Sequence, residues 1–226
     1  MLRFAWAIVI AALLLLALRV TFLDTGLQSM ACVDLERTFE SADFRESLPS
    51  DPVLLIGNQR VRHWKTTLGP IGGREVIRRS SAGLNPDHIA ECFPRLVGYY
   101  QPSVVIIPID TPYAVNADPM GLFVALQRIL DQRVAYSLDF ELWVIAPITT
   151  PRCADTGKTP LSALNSNGAE WASDRFKVRW LDLQSSFVDA GGNTDSKLVW
   201  PNGNTLNNRG YQRLTDALIK RSNERK

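Results

Sequence analysis

Short runs rich in Val and Ile alternate along this chain with longer stretches whose apolar residues return every three or four positions. Residues Val53–Gly57, Glu75–Arg78, Val104–Ile109, Leu142–Ile148 and Val178–Leu183 read as strands. Between them, Ile89, Cys92, Phe93, Leu96 and Val97 form one helical stripe that Pro94 is expected to kink. Leu122, Val124, Leu126, Ile129 and Leu130 form a second, behind the capping candidate Asp118. The segment Asn85-Pro86-Asp87-His88 reads as a helix start with proline in the first turn. From Thr149 to Trp171, richness in Thr, Pro, Ser and Asn predicts a long loop leading into a weak helix. Alternating strands and helices imply βαβ units, hence a parallel sheet covered by helices on both faces. Such sheets bind ligands at the carboxyl ends of their strands, which directs attention to Asn58 and Gln59, Ser80 to Gly83, and Asp110 with Thr111.

The first 50 residues break this rhythm. An apolar run from Phe4 to Leu18 reaches the roughly 20 residues of a membrane span if it extends to Leu23 with Arg19 snorkelling. An uncleaved signal anchor over 1–23 is the expectation. A cleaved signal is the competing reading, although the small residues Ser29 and Ala31 lie far beyond the apolar run. Arg3 favours a cytoplasmic N-terminus and Arg19 opposes it; the domain is expected outside the cytoplasm, periplasmic or extracellular. Residues 24–50 read as a tether with a short helix, leaving 51–226 for one folded domain.

Of the 226 residues, 46% are hydrophobic and 21% charged, and the net charge is only +2 without a basic block, so nothing marks a nucleic-acid partner. Three cysteines, Cys32, Cys92 and Cys153, allow one intrachain disulfide whose pairing the spacing leaves open. With two histidines, His63 and His88, and no ligand pair at helical or turn spacing, neither a metal nor another cofactor is expected.

Four stretches carry the candidate chemistry: Val53-Leu-Leu-Ile-Gly-Asn-Gln59, Val76-Ile-Arg-Arg-Ser-Ser-Ala-Gly83, Pro102-Ser-Val-Val-Ile-Ile-Pro-Ile-Asp-Thr111 and Asn202-Gly-Asn-Thr-Leu-Asn-Asn-Arg-Gly-Tyr211. In order and spacing they resemble the four blocks of the SGNH/GDSL hydrolase family, notably its small esterases like the platelet-activating-factor acetylhydrolase alpha subunits. Trp64, Leu68-Gly-Pro70, Tyr100-Gln-Pro102 and Gly210-Tyr211 fall where that family has similar residues. The resemblance spans Val53 to Ile219. It implies a three-layer α/β/α sandwich with a mainly parallel, flavodoxin-like central sheet, here preceded by a membrane anchor helix.

The resemblance breaks where chemistry would occur. At the nucleophilic serine of the family's Gly-Asp-Ser block stands Gln59, whose amide nitrogen lone pair is delocalised and unreactive at neutral pH. The Asp-x-x-His block places Asn202 at the orienting aspartate and Thr205 at the general base; a threonine hydroxyl cannot shuttle a proton near pH 7. Gly83 matches one oxyanion donor, whereas Asp110 stands at the other, where a carboxylate opposes developing negative charge. Loss of a nucleophile and its base removes rate by factors of roughly 10⁴ to 10⁶.

A relocated pair of Ser80 or Ser81 with His63 or His88 is the rescue to be tested; the simpler reading makes the serines a polar turn and lets Arg78 and Arg79 face solvent. The pocket expected from Asn58, Gln59, Asp110, Asn202, Asn204 and Thr205, with Trp200 as an aromatic face, suits hydrogen bonding to sugar hydroxyls. The expected function is a catalytically inactive, membrane-tethered hydrolase-like protein that binds a carbohydrate or cell-envelope ligand or a partner protein. The alternative is an active esterase or acyltransferase on acylated glycans or lipids using non-standard residues.

Overall fold

The computed structural model describes residues 32–66, 68–111, 114, 119–151, 161–203 and 205–224. The expected anchor over 1–23, the capping candidate Asp118, and Asn204 and Cys153 lie outside them. No helix among the described residues is long and apolar enough to cross a membrane.

Five parallel strands, β1 (Val53–Gly57), β2 (Val76–Ser80), β3 (Val104–Pro108), β4 (Glu141–Ile145) and β5 (Val178–Leu181), form one sheet in the order β2-β1-β3-β4-β5. Period-two alternation sends Leu54, Ile56, Val105 and Ile107 to one face and Val53, Leu55, Val104 and Ile106 to the other. Both sets are buried, which is why β1 and β3 are apolar throughout.

The first face is covered by α1 (Cys32–Asp43), α3 (Pro86–Glu91), α4 (Phe93–Leu96), α5 (Pro119–Ala135) and α6 (Leu161–Ser173). The second is covered by α2 (Gln59–His63), with the Trp64 that follows it, and by α7 (Asn208–Asn223). This is the three-layer sandwich with a parallel central sheet.

Helix boundaries follow local chemistry. Asn85 caps α3 by accepting from the His88 N–H, and Pro86 occupies the first turn, as the sequence predicts. Pro94 opens a new helix, splitting the Ile89-to-Val97 stripe into α3 and α4 with Cys92 between them. Within the α5 stripe Val124 is an exception and faces solvent. Asn207 caps α7 through its bond from the Gly210 N–H. A Cβ on Gly210 would lie 2.2 Å from the Leu198 carbonyl, so only glycine lets α7 begin against that backbone.

Helix α1 lies inside the stretch read as a tether, yet it is packed into the domain. Leu35 and Phe39 are buried, and Cys32 is joined to Cys92 by a disulfide across 60 residues. Asp43 at its end accepts from Arg79 and Arg95, each at 2.5 Å, and the Tyr100 hydroxyl donates to it at 3.0 Å. Arg79 also donates to Glu46 at 3.0 Å and to the Arg78 carbonyl at 2.8 Å. The expectation that Arg79 faces solvent is therefore corrected: strand alternation turns it to the face that α1 covers, and it is 2% exposed. Arg78, one residue earlier, is exposed and donates to the Trp64 carbonyl.

Candidate functional site

Parallel pairing brings the carboxyl ends of β2, β1 and β3 side by side, with Gly57 opposite Ser80. Asn58 follows β1 and caps α2, its side-chain oxygen accepting from the Arg60 N–H at 3.4 Å. Gln59 opens the helix and faces solvent. Its neighbour Arg60 turns inward, 8% exposed, toward Asp110 beyond the end of β3.

Arg60 Nε stands 3.4 Å from Asp110 Oδ1, an ion pair. Arg60 Nη2 donates to Thr111 Oγ1 at 3.1 Å, and that hydroxyl donates to the Ile148 carbonyl at 2.7 Å. Arg60 Nη1 and Asp110 Oδ1 are both buried without a hydrogen-bond partner among the described residues. An orphaned buried polar atom costs about 1–3 kcal/mol, so each of these two atoms is one that a bound polar group would relieve.

Burial raises the Asp110 carboxyl above its ordinary range; Arg60, the Asn58 amide, the Arg60 backbone N–H and His63 pull against that rise. Tyr211, buried at the start of α7, feels the same pair. Its hydroxyl is pushed up to about 12 by burial, with Arg60 lowering and Asp110 raising it, so it stays neutral. Trp64 fixes this corner: fully buried, it donates from Nε1 to Thr215 Oγ1 at 2.9 Å and packs against Tyr211.

A cavity of about 10 Å³ lies between Asn58, Asp110, Asn85 and the strand ends. That is about the room for one water molecule. Gly83, at φ +76°, makes the turn that leads from β2 into this wall, a backbone region glycine enters without strain.

Asn202 and Thr205 bond to each other. The Asn202 side-chain oxygen accepts from the Thr205 N–H at 3.2 Å, and its amide nitrogen lies 3.5 Å from Thr205 Oγ1. Trp200, in the same loop, is 51% exposed. The structure thus brings Asn58 and Asp110 together and sets Gln59 at the rim, and the Asn202–Thr205 turn is closed by its own two contacts. Neither imidazole is hydrogen-bonded to a serine or threonine hydroxyl among the described residues: His63 is exposed, and His88 Nδ1 is buried without a partner.

Arg60 and Tyr211 are the site residues that sequence reasoning missed. The available signal was charge complementarity: a cation three residues after β1 and an anion two residues after β3, on adjacent parallel strands.

The fold is that of the SGNH/GDSL hydrolases. A Streptococcus pneumonia structure named for platelet activating factor has a TM-score of 0.69 at 16% identity, covering 91% of this chain and 99% of its own. A GDSL-like lipase from Bacteroides thetaiotaomicron gives 0.65 at 14%, covering 86% and 99%. A carbohydrate esterase family 3 enzyme from Talaromyces cellulolyticus gives 0.57 at 16%, covering 75% and 95%. No family model matches the sequence, and no curated protein sequence matches it.

Proposed function

We propose that this chain is a non-hydrolytic domain on the SGNH/GDSL fold, tethered to a membrane by its N-terminal segment and lying outside the cytoplasm, where it binds a neutral carbohydrate of the cell envelope. The Arg60–Asp110 pair carries the reading. Its open atoms are one donor and one acceptor. A hydroxyl both gives and takes a hydrogen bond and so suits either atom, whereas an ester carbonyl or an anion only accepts. The small cavity beside Asp110 admits one such group, leaving the sugar ring outside against exposed Gln59, with Asn58 as a further polar contact.

At the position of a nucleophile this site has a carboxamide, and at that of a base a threonine held in a turn by Asn202. The Cys32–Cys92 disulfide fits an oxidising compartment. Among structures of the same fold, one is a carbohydrate esterase, which makes a saccharide the natural first ligand class to try.

The test uses the full chain in detergent micelles with neutral gluco-, xylo- and N-acetylglucosamine oligosaccharides. Expected is saturable thermal stabilisation without release of p-nitrophenol from p-nitrophenyl acetate, and no mass shift with a fluorophosphonate. A stoichiometric adduct on one residue, together with ester turnover, overturns the reading in favour of hydrolysis. Stabilisation that survives Asp110→Asn and Gln59→Ala moves binding away from this site.

A further inference from the structure

The edge of the sheet at β2 carries a second candidate site. Val53 N–H donates to the Glu75 carbonyl at 2.9 Å and Ser81 N–H to the Gly57 carbonyl at 3.2 Å. Continuing that parallel ladder, Ile77 and Arg79 turn their backbone groups toward β1, and Val76, Arg78 and Ser80 turn theirs away from the sheet. The Arg78 carbonyl is taken by Arg79; the other outward groups have no partner among the described residues. An edge of this kind is a template for another strand.

Here the edge opens into a cleft of about 550 Å³, with β2 on one side and residues 46–49 on the other. That volume is within the roughly 300–1,000 Å³ of ligand sites. Arg62, Lys65 and Arg78 line it, and none of the three is paired with a carboxylate among the described residues. Of the two acidic residues at its margin, Glu46 is held by Arg79, which leaves Glu75.

The opposite edge, β5, differs. Its cleft of about 390 Å³ is lined by Asp182 as well as Arg179 and Arg221, and Arg179 already donates to the Arg221 carbonyl.

We propose that the β2 edge binds an extended acidic segment of a partner protein, which adds as a sixth strand and places its carboxylates on Arg62, Lys65 and Arg78. The backbone groups supply the attachment, and the cations supply the choice of partner. This site is independent of the strand-end pocket.

The probe is a labelled heptapeptide of alternating glutamate and valine, titrated into the full chain in micelles and followed by anisotropy. Saturable binding is expected, roughly tenfold weaker for Arg62→Glu with Lys65→Glu. A strand reads one edge of its partner only. N-methylation of one alternate set of peptide amides should therefore abolish binding, and methylation of the other set should leave it intact. Val76→Pro, which removes an outward donor at the first position of β2, should weaken binding without disturbing the β1 ladder. Equal binding of both methylated peptides, equal binding of a lysine–valine peptide, or no saturable binding overturns the proposal. The methylated peptides decide the matter even if the proline variant does not fold.

Discussion

Two buried arginine–aspartate pairs, one on the sheet face that α1 covers and one beyond the ends of β1 and β3, are built differently. At the end of α1, Asp43 receives Arg79, Arg95 and Tyr100 at 2.5–3.0 Å. Arg79 spends its remaining donors on Glu46 and the Arg78 carbonyl, and the disulfide holds the far end of the same helix. Beyond β1 and β3, Arg60 and Asp110 stand 3.4 Å apart with one donor and one acceptor open. A saturated network fixes one arrangement of its neighbours; an unsaturated one keeps a penalty that a ligand can remove. The first is a clamp, and the second has the electrostatics of a binding site.

The largest effect should come from breaking the clamp. Asp43→Ala removes the carboxylate that two guanidinium groups share, leaving Arg79, at 2% exposure, with the half-exposed Glu46 as its remaining carboxylate. A loss of about 3–5 kcal/mol of unfolding free energy is expected, read from denaturant titration of the full chain. A loss below about 1 kcal/mol would show that α1 is held by its apolar face and disulfide alone.

A smaller and pH-dependent effect is expected at Asp110. Its folded-state carboxyl is raised above the ordinary 3.8, so the folded protein binds more protons than the unfolded chain between those two values. Whatever stability this gives is complete below the unfolded value and is lost as pH rises through the folded one. The unfolding free energy of the wild type minus that of Asp110→Asn should therefore fall as pH is raised from about 4. A difference that grows with pH would mean that Arg60 outweighs burial and that the pair is a second clamp.

The contrast between the pairs was only half legible in the sequence. Strand positions and the parallel sheet could be read because burial on both faces makes β1 and β3 uniformly apolar. The helix start at Asn85-Pro86 could be read because capping is local chemistry. Arg79 was misread because an exposed edge strand and one covered by α1 have the same local pattern, and the covering helix lies 36 residues earlier. Which cysteines pair was open for the same reason, since Cys32 meets Cys92 only after α1 folds back onto the domain. At the candidate site, Gln59 and Thr205 were assigned to the family's nucleophile and base positions from the resemblance alone. That Arg60 turns inward to Asp110 depends on α2 entering directly behind β1, which the sequence alone does not display.

Gln59 provides the finest discrimination between clamp and site, because it stands at the rim and faces solvent. It has no role in holding α2, whose first turn is capped by Asn58. Gln59→Ala should therefore change the unfolding free energy by no more than about 0.5 kcal/mol, the range of ordinary surface substitutions. If a sugar ring rests there, the same substitution still reduces the thermal stabilisation given by an oligosaccharide, since it removes a donor and an acceptor from the bound state only. Unchanged stability with diminished ligand response is a combination that a structural role cannot produce. Unchanged stability with an undiminished response would confine the ligand to the Arg60–Asp110 pair and remove Gln59 from the site.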